Sequence, residues 1–189
     1  MGILSRLLNP TPAVAPTRSV APSVPAATPP RAPSPPVPAR SAPPAAPEGP
    51  GLVQFFTEDH HACDALWGEV EGAPDLAGAV EAWRRFDTAM RRHLGWEESV
   101  LFPAFEDATG HHGFGPTYMM RGEHEQMRAL LDEMDRCAVT GDYTGLTEQG
   151  DTLMMMIQQH NAKEEGMLYP MTEDAVGTQG WQKLRARLT

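Results

Sequence analysis

An all-α, antiparallel up-down-up-down four-helix bundle behind a proline-rich segment is the architecture this sequence predicts. Three observations carry it. Apolar residues recur at steps of three and four through four successive segments. No stretch alternates polar and apolar in the manner of a strand. Fifteen of the 19 prolines lie in residues 1–50, leaving residues 51–189 free to form long helices.

The first 50 residues carry four arginines against one acid, a net charge of +3, whereas residues 51–189 carry 11 basic and 24 acidic side chains, a net charge of −13. With a proline every two to four residues neither helix nor sheet propagates, and Ala and Val are too small to offset the entropy of ordering. Residues 1–50 therefore read as a disordered, extended spacer. Its Pro33–Pro38 stretch has the composition of a ligand for an SH3- or WW-type groove, a protein partner for the tail. Residues 3–8 form at most one amphipathic turn. Residues 51–189 are enough for a single core.

The helices follow in order. Leu52, Phe56, His60, Cys63, Trp67 and Val70 make one face, which Gly72-Ala73-Pro74 ends. Asp75 is placed to cap a second helix whose stripe is Trp83, Phe86, Met90, His93, Glu97, Val100 and Ala104. A loop rich in Gly and His, residues 110–116, leads to Thr117 as the cap of a third, with Met120, His124, Met127, Leu131, Met134 and Ala138 on one face. After a Thr140-Gly141-Asp142 turn the fourth stripe reads Leu153, Met156, His160, Glu164, Met167 and Met171. Beyond Gly177 a short helix shows Trp181, Leu184 and Leu188 on one side.

Each of the four stripes contains a histidine, and two contain a glutamate four residues after it. An unpaired carboxylate in a bundle core costs several kcal/mol or shifts its pKa. Six such groups need a common explanation, and a cation provides it by neutralising the carboxylates and saturating the imidazoles. Residues i and i+4 share a helix face, so His93 with Glu97, and His160 with Glu164, can converge on adjacent metal positions. Four nitrogens and two carboxylates exceed the needs of one ion and suit two bridged ions. Donors of this kind without thiolate favour Fe, Mn or Zn. An internal repeat strengthens the reading. His93-Leu-Gly-Trp-Glu97-Glu98-Ser-Val-Leu-Phe-Pro103 matches His160-Asn-Ala-Lys-Glu164-Glu165-Gly-Met-Leu-Tyr-Pro170 at an offset of 67, and His60 matches His124 at an offset of 64.

On these residues the segment from 51 to about 175 resembles the hemerythrin-like, HHE cation-binding family. The resemblance implies a four-helix bundle around a non-haem di-iron centre with an oxo or hydroxo bridge. It implies His60, His93, Glu97, His124, His160 and Glu164 as ligands, the two glutamates bridging. Oxygen-carrying hemerythrins have a fifth histidine one turn after the third-helix histidine, where this chain has Arg128. Their last carboxylate is an Asp five residues after the final histidine, where this chain has Glu165. The set of four His and two Glu is similar instead to that of iron–sulfur-cluster repair proteins and other regulatory or iron-handling HHE domains.

The remaining polar residues fall outside the ligand set. Glu98 and Glu165 sit about 100° off their stripes, in solvent or behind the ligands. His61 is off-phase and on the surface, and His111 and His112 belong to the exposed glycine loop. Arg128 reaches an acid on a neighbouring turn, or an anionic ligand at an open metal position. Met119, Met120 and the Met154–Met156 run read as core filler, Phe102 and Tyr169 as packing, and Pro103 and Pro170 as the kink or end of the helix past the site.

The acidic body is a poor partner for nucleic acid or an anionic membrane surface, and no run is long and apolar enough to span a bilayer. Two cysteines make no disulfide framework, and the N-terminus lacks a secretory or myristoylation pattern, so a reducing, cytoplasmic setting is expected. The expected function is a di-iron protein that binds or senses oxygen or nitric oxide, or handles iron. A redox enzyme activating oxygen or peroxide, or a donor of iron in cluster repair, is the alternative. No catalytic base and no organic cofactor site is legible, and the balance leans away from an enzyme.

Overall fold

The computed structural model describes residues 49–188, all helical or turn with no strand among them. The expectations for the proline-rich tail lie outside the described residues apart from its last two positions. Helix α1 spans Leu52–Glu71 and α2 spans Leu76–Trp96. A π turn over Glu97–Leu101 joins α2 to α3, Phe102–Thr109. Helix α4 spans Pro116–Thr140 and α5 spans Tyr143–Lys163. A second π turn, Glu164–Leu168, leads into α6, Tyr169–Arg185. Counting each run through a π turn as one rod, four rods pack as a bundle. Helix α1 lies against α2 and α6, and α4 against α5 and α2. No helix among the described residues is long and apolar enough to cross a membrane.

The caps follow local chemistry. Asp75 accepts from the Gly78 N–H at 2.8 Å and Asp142 from the Gly145 N–H at 2.9 Å, each satisfying a donor the first turn leaves free. Helix α4 differs from expectation. Gly115 is its N-cap with Pro116 in its first turn, and Thr117 is buried inside the helix rather than capping it. Proline suits this place because its missing N–H would have no helical partner there. Gly177 takes φ 65°, ψ 175° and breaks the course of α6, which lets Trp181 and Leu184 fold onto the bundle.

The core is two apolar clusters with a polar layer between them. Along α1, Leu52 and Phe56 belong to one cluster and Cys63, Trp67 and Val70 to the other, with His60 at the crossing. Along α2, Trp83, Phe86 and Met90 give way at His93 and Glu97 to Leu101, Phe102 and Phe105. Helix α4 crosses at His124, and α5 crosses at His160 and Glu164.

The first stripe is buried as expected, and the fourth needs correction. From Leu153 to Thr172 its buried residues are Leu153, Ile157, His160, Glu164, Leu168, Tyr169 and Thr172. Met156 gives way to Ile157 by a simple phase error. Met167 and Met171 are exposed because the π turn holds one extra residue and advances every later position by one. The same shift puts Phe105 inside where Ala104 was expected. Met155 and Met119 are exposed as well, so neither fills the core. Pro103 and Pro170 do not end their helices. Each follows a π turn closed by an i→i+5 bond, from Phe102 N–H to the Glu97 carbonyl and from Tyr169 N–H to the Glu164 carbonyl.

Gly150 on α5 sits directly against Trp67 on α1. A Cβ placed there would lie 2.1 Å from the Trp67 ring, so the ring fits only because this residue has no side chain. Gly150→Ala should destabilise the chain by about 2 kcal/mol, the usual cost of overpacking. Urea unfolding of the variant beside the parent chain measures it.

Candidate metal centre

The six expected residues meet in the polar layer, each at most 2 % exposed. His60 Nε2 lies 3.0 Å from His93 Nε2, and His124 Nε2 lies 3.1 Å from His160 Nε2. The carboxylates tie the halves together. Glu97 Oε2 is 3.4 Å from His93 Nε2 and 3.3 Å from His124 Nε2. Glu164 is 3.4 Å from His60 Nε2 through Oε2 and 3.1 Å from His160 Nε2 through Oε1. Two groups result, His60, His93, Glu97 and Glu164 on one side, and His124, His160, Glu97 and Glu164 on the other. Within each group the potential ligand atoms lie within 4.8 Å of one another. Glu97 and Glu164 belong to both.

Carboxylates fix the histidine tautomers from behind. Each Nδ1 meets one: His60 with Glu165 at 2.7 Å, His93 with Asp59 at 2.9 Å, His124 with Glu98 at 2.9 Å and His160 with Glu123 at 2.7 Å. An ionised carboxylate only accepts, so each Nδ1 donates and each Nε2 is left as a lone pair pointing inward. Lone pairs that face each other at 3.0 Å beside two buried carboxylates repel unless a cation or a proton lies among them. Glu97 Oε2 and Glu164 Oε1 have no hydrogen-bond partner. The donor set thus fits metal ions, and carboxylates behind the imidazoles are the usual means of orienting metal-binding histidines.

Glu98 and Glu165 therefore stand behind His124 and His60, one of the two places their phase allowed. Asp59 and Glu123 were not anticipated. Their signal was in the repeat, since each precedes its helix's lone histidine at the same offset of 64. Three of the four carboxylates are tied to cations: Asp59 to Arg92 at 2.7 Å, Glu98 to Arg128 at 2.8 Å, and Glu123 to Lys163. The acid that Arg128 reaches is thus on the π turn after α2 rather than on its own helix. His61 is on the surface. His111 is half-buried between Phe105 and Phe114, not exposed as expected. Phe102 stacks on His124, whereas Tyr169 is more than packing. Its hydroxyl donates to Glu97 Oε1 at 2.6 Å and lies 2.9 Å from Glu164 Oε2 and 3.0 Å from His60 Nε2. The π turn makes this possible, because five residues complete one of its hydrogen-bonded rings and carry Tyr169 round to the side of Glu164.

In the metal-free chain, protons offset the buried charge. Burial alone would lower the histidines, but the carboxylates outweigh it. His60 and His160 are raised, and His124 reaches about 9 through Glu97 and Glu98. Burial would raise Glu164, yet hydrogen bonds from His160 and His60 hold it well below the usual carboxylate range. Burial and the charges of Glu97 and Glu164 push Tyr169 well above 10, so its hydroxyl keeps its proton.

The match to known proteins agrees with this geometry. The hemerythrin HHE cation-binding domain model matches residues 51–172. The chain belongs to this family. A curated relative, an uncharacterized hemerythrin-like protein of Schizosaccharomyces pombe, is 25 % identical over 116 residues, covering 61 % of this chain and 56 % of that protein. The chain thus spans about half the length of that relative. No solved structure gives a significant match.

Because His124 is raised, its stabilising contribution is complete below the unfolded value near 6.5 and is lost as pH rises through about 9. Metal-free protein should accordingly lose stability between pH 6.5 and 9.5, and urea midpoints across that range measure the loss.

Proposed function

We propose that this hemerythrin-like domain holds two iron ions, shared by Glu97 and Glu164, and uses them to bind or sense a small diatomic such as oxygen or nitric oxide, or to handle iron. The single observation that carries the reading is the pair of overlapping four-residue groups sharing two fully buried carboxylates. His60 and His93 would hold one ion, and His124 and His160 the other. Imidazole and carboxylate donors without thiolate suit iron, and Mn or Zn would accept them too.

A bound iron pair supplies Lewis acidity and one-electron redox change. The chain's own residues do the rest. Asp59, Glu98, Glu123 and Glu165 hold the Nδ1 protons and keep every Nε2 lone pair inward. Tyr169 steadies both central carboxylates and keeps the one hydroxyl proton at the centre. The apolar clusters on either side exclude water. The Tyr169 hydroxyl also favours a second reading, a redox enzyme acting on oxygen or peroxide, because it sets a proton donor beside the pair. Iron donation in cluster repair would use the same ligands.

Glu164→Ala should remove most of the bound metal and lower the melting temperature, since binding and folding are linked. Glu165→Ala should keep the metal and weaken its affinity by roughly 10- to 100-fold, the usual cost of losing a group behind a ligand. Elemental analysis and calorimetry of the two variants distinguish these roles, and the reverse pattern would overturn the ligand assignment. Reduced, iron-loaded protein exposed to air separates the two functional readings. A visible band that reverses under vacuum supports binding or sensing, and irreversible bleaching with turnover of peroxide supports the enzyme.

A further inference from the structure

Tyr169 and Phe102 hold the same place in the repeat, and their rings are set alike. The Tyr169 ring lies 5.5 Å from the His60 ring at 31° between planes, and the Phe102 ring lies 5.3 Å from the His124 ring at 30°. The hydroxyl is therefore an addition to a shared packing rather than a different packing. It meets the two central carboxylates unequally. Glu97 Oε1 is 2.6 Å away, against 2.9 Å for Glu164 Oε2 and 3.0 Å for His60 Nε2. A phenol has one proton to give, and Glu97 Oε1 is its nearest acceptor.

The carboxylates also face the histidines differently, which the repeat alone does not explain. Glu97 meets both halves through one atom, Oε2, at 3.4 Å from His93 Nε2 and 3.3 Å from His124 Nε2. Its other oxygen is the one Tyr169 holds. Glu164 divides its oxygens, Oε2 lying 3.4 Å from His60 Nε2 and Oε1 lying 3.1 Å from His160 Nε2. Glu164 Oε1 has no hydrogen-bond partner, and the side chain that stands on its side of the repeat, Phe102, has no donor to offer.

We propose that Tyr169 is a positioning residue that fixes Glu97 as a one-oxygen bridge between the two metal positions, and so keeps a coordination position open for a small exogenous ligand. The inference rests on the two-metal reading above and names what regulates access to that centre. Each position is offered two imidazoles and the two shared carboxylates, a set with few protein donors and room for an outside ligand. The nearest competitor for that room is the spare oxygen of a carboxylate already among the ligands. Glu164 has no spare oxygen, because each of its two faces a different half. Glu97 has one, Oε1, and the Tyr169 hydroxyl holds it away by donating to it. A buried acceptor deprived of its donor seeks another partner, and here the partner at hand is a metal ion.

Tyr169→Phe tests this, since it gives position 169 the side chain that position 102 already carries and so retains the ring. Full-length parent and variant are loaded with ferric iron and titrated with azide, whose visible band on iron reports its binding. The variant should hold two ions per chain, as the parent does, and bind azide about tenfold more weakly, the loss expected from one hydrogen bond to a charged group. In the zinc-loaded chains, infrared carboxylate stretches separate one-oxygen from two-oxygen binding, and one carboxylate should change mode in the variant. The double exchange Phe102→Tyr with Tyr169→Phe moves the hydroxyl to the side of Glu164 Oε1 and should restore the affinity for azide. Unchanged azide affinity and unchanged infrared bands in Tyr169→Phe would overturn the positioning role while the metal centre stands. Should that variant hold fewer ions, the double exchange decides: recovery of ions and azide affinity together supports the role, and recovery of ions alone overturns it. A parent chain that binds no iron would overturn the metal-binding reading and this inference with it.

Discussion

Two carboxylates with no exposure, Glu97 and Glu164, sit among four imidazoles at the middle of a helical bundle, and this buried charge is the constraint to which the rest of the structure answers. Two isolated carboxylates in such a place would cost far more than a domain of this size has to spare. They are tolerable only if positive charge is supplied on the spot, by protons in the bare chain and by metal ions in the functional one. The surroundings are arranged accordingly. Apolar clusters above and below hold the layer dry. Four outer carboxylates keep the imidazoles turned with their lone pairs inward, and Arg92, Arg128 and Lys163 balance three of those carboxylates in turn. The −13 charge of residues 51–189 is therefore not simply a solvated surface. Part of it is the inner and outer shell of a cation site.

The repeat gives this layer its economy. One hairpin pattern, used twice, produces an approximate two-fold arrangement in which each central glutamate contacts a histidine of both halves. Departures from the repeat then become informative. Phe102 and Tyr169 occupy matching positions, yet only Tyr169 adds a hydroxyl to the centre. Arg121 and Thr57 match as well, yet only Arg121 sets a guanidinium over an aromatic ring, that of Phe102. The Tyr169 hydroxyl reaches His60, whereas Phe102 only stacks on His124, so the two histidine pairs have unlike surroundings.

Much of this was legible in the residues. The α1 stripe from Leu52 to Val70 was right at every position because an undistorted helix keeps its period. The six candidate ligands were legible because a histidine or glutamate on an otherwise apolar stripe has no bland explanation. The π turns were not legible. Nothing local in Glu97–Leu101 distinguishes a five-residue ring from a four-residue one, and the extra residue moved Leu168, Thr172 and Phe105 inward in place of Met167, Met171 and Ala104. It also hid the role of Tyr169, which an α-helical period would turn away from Glu164. Asp59 and Glu123 escaped notice for a different reason. A charged residue beside a stripe normally faces solvent, and only the partner helix shows that these two reach back to His93 and His160.

Everything rests on the claim that positive charge at this centre is supplied by two metal ions. Anaerobic titration of the metal-free chain with Fe(II), followed by calorimetry and by the melting temperature at each addition, tests it directly. Heat release and stabilisation should both continue to two ions per chain and stop there, because Glu97 and Glu164 are each shared by two groups of ligands. Saturation at one ion, or a chain whose melting temperature is indifferent to iron, would contradict it.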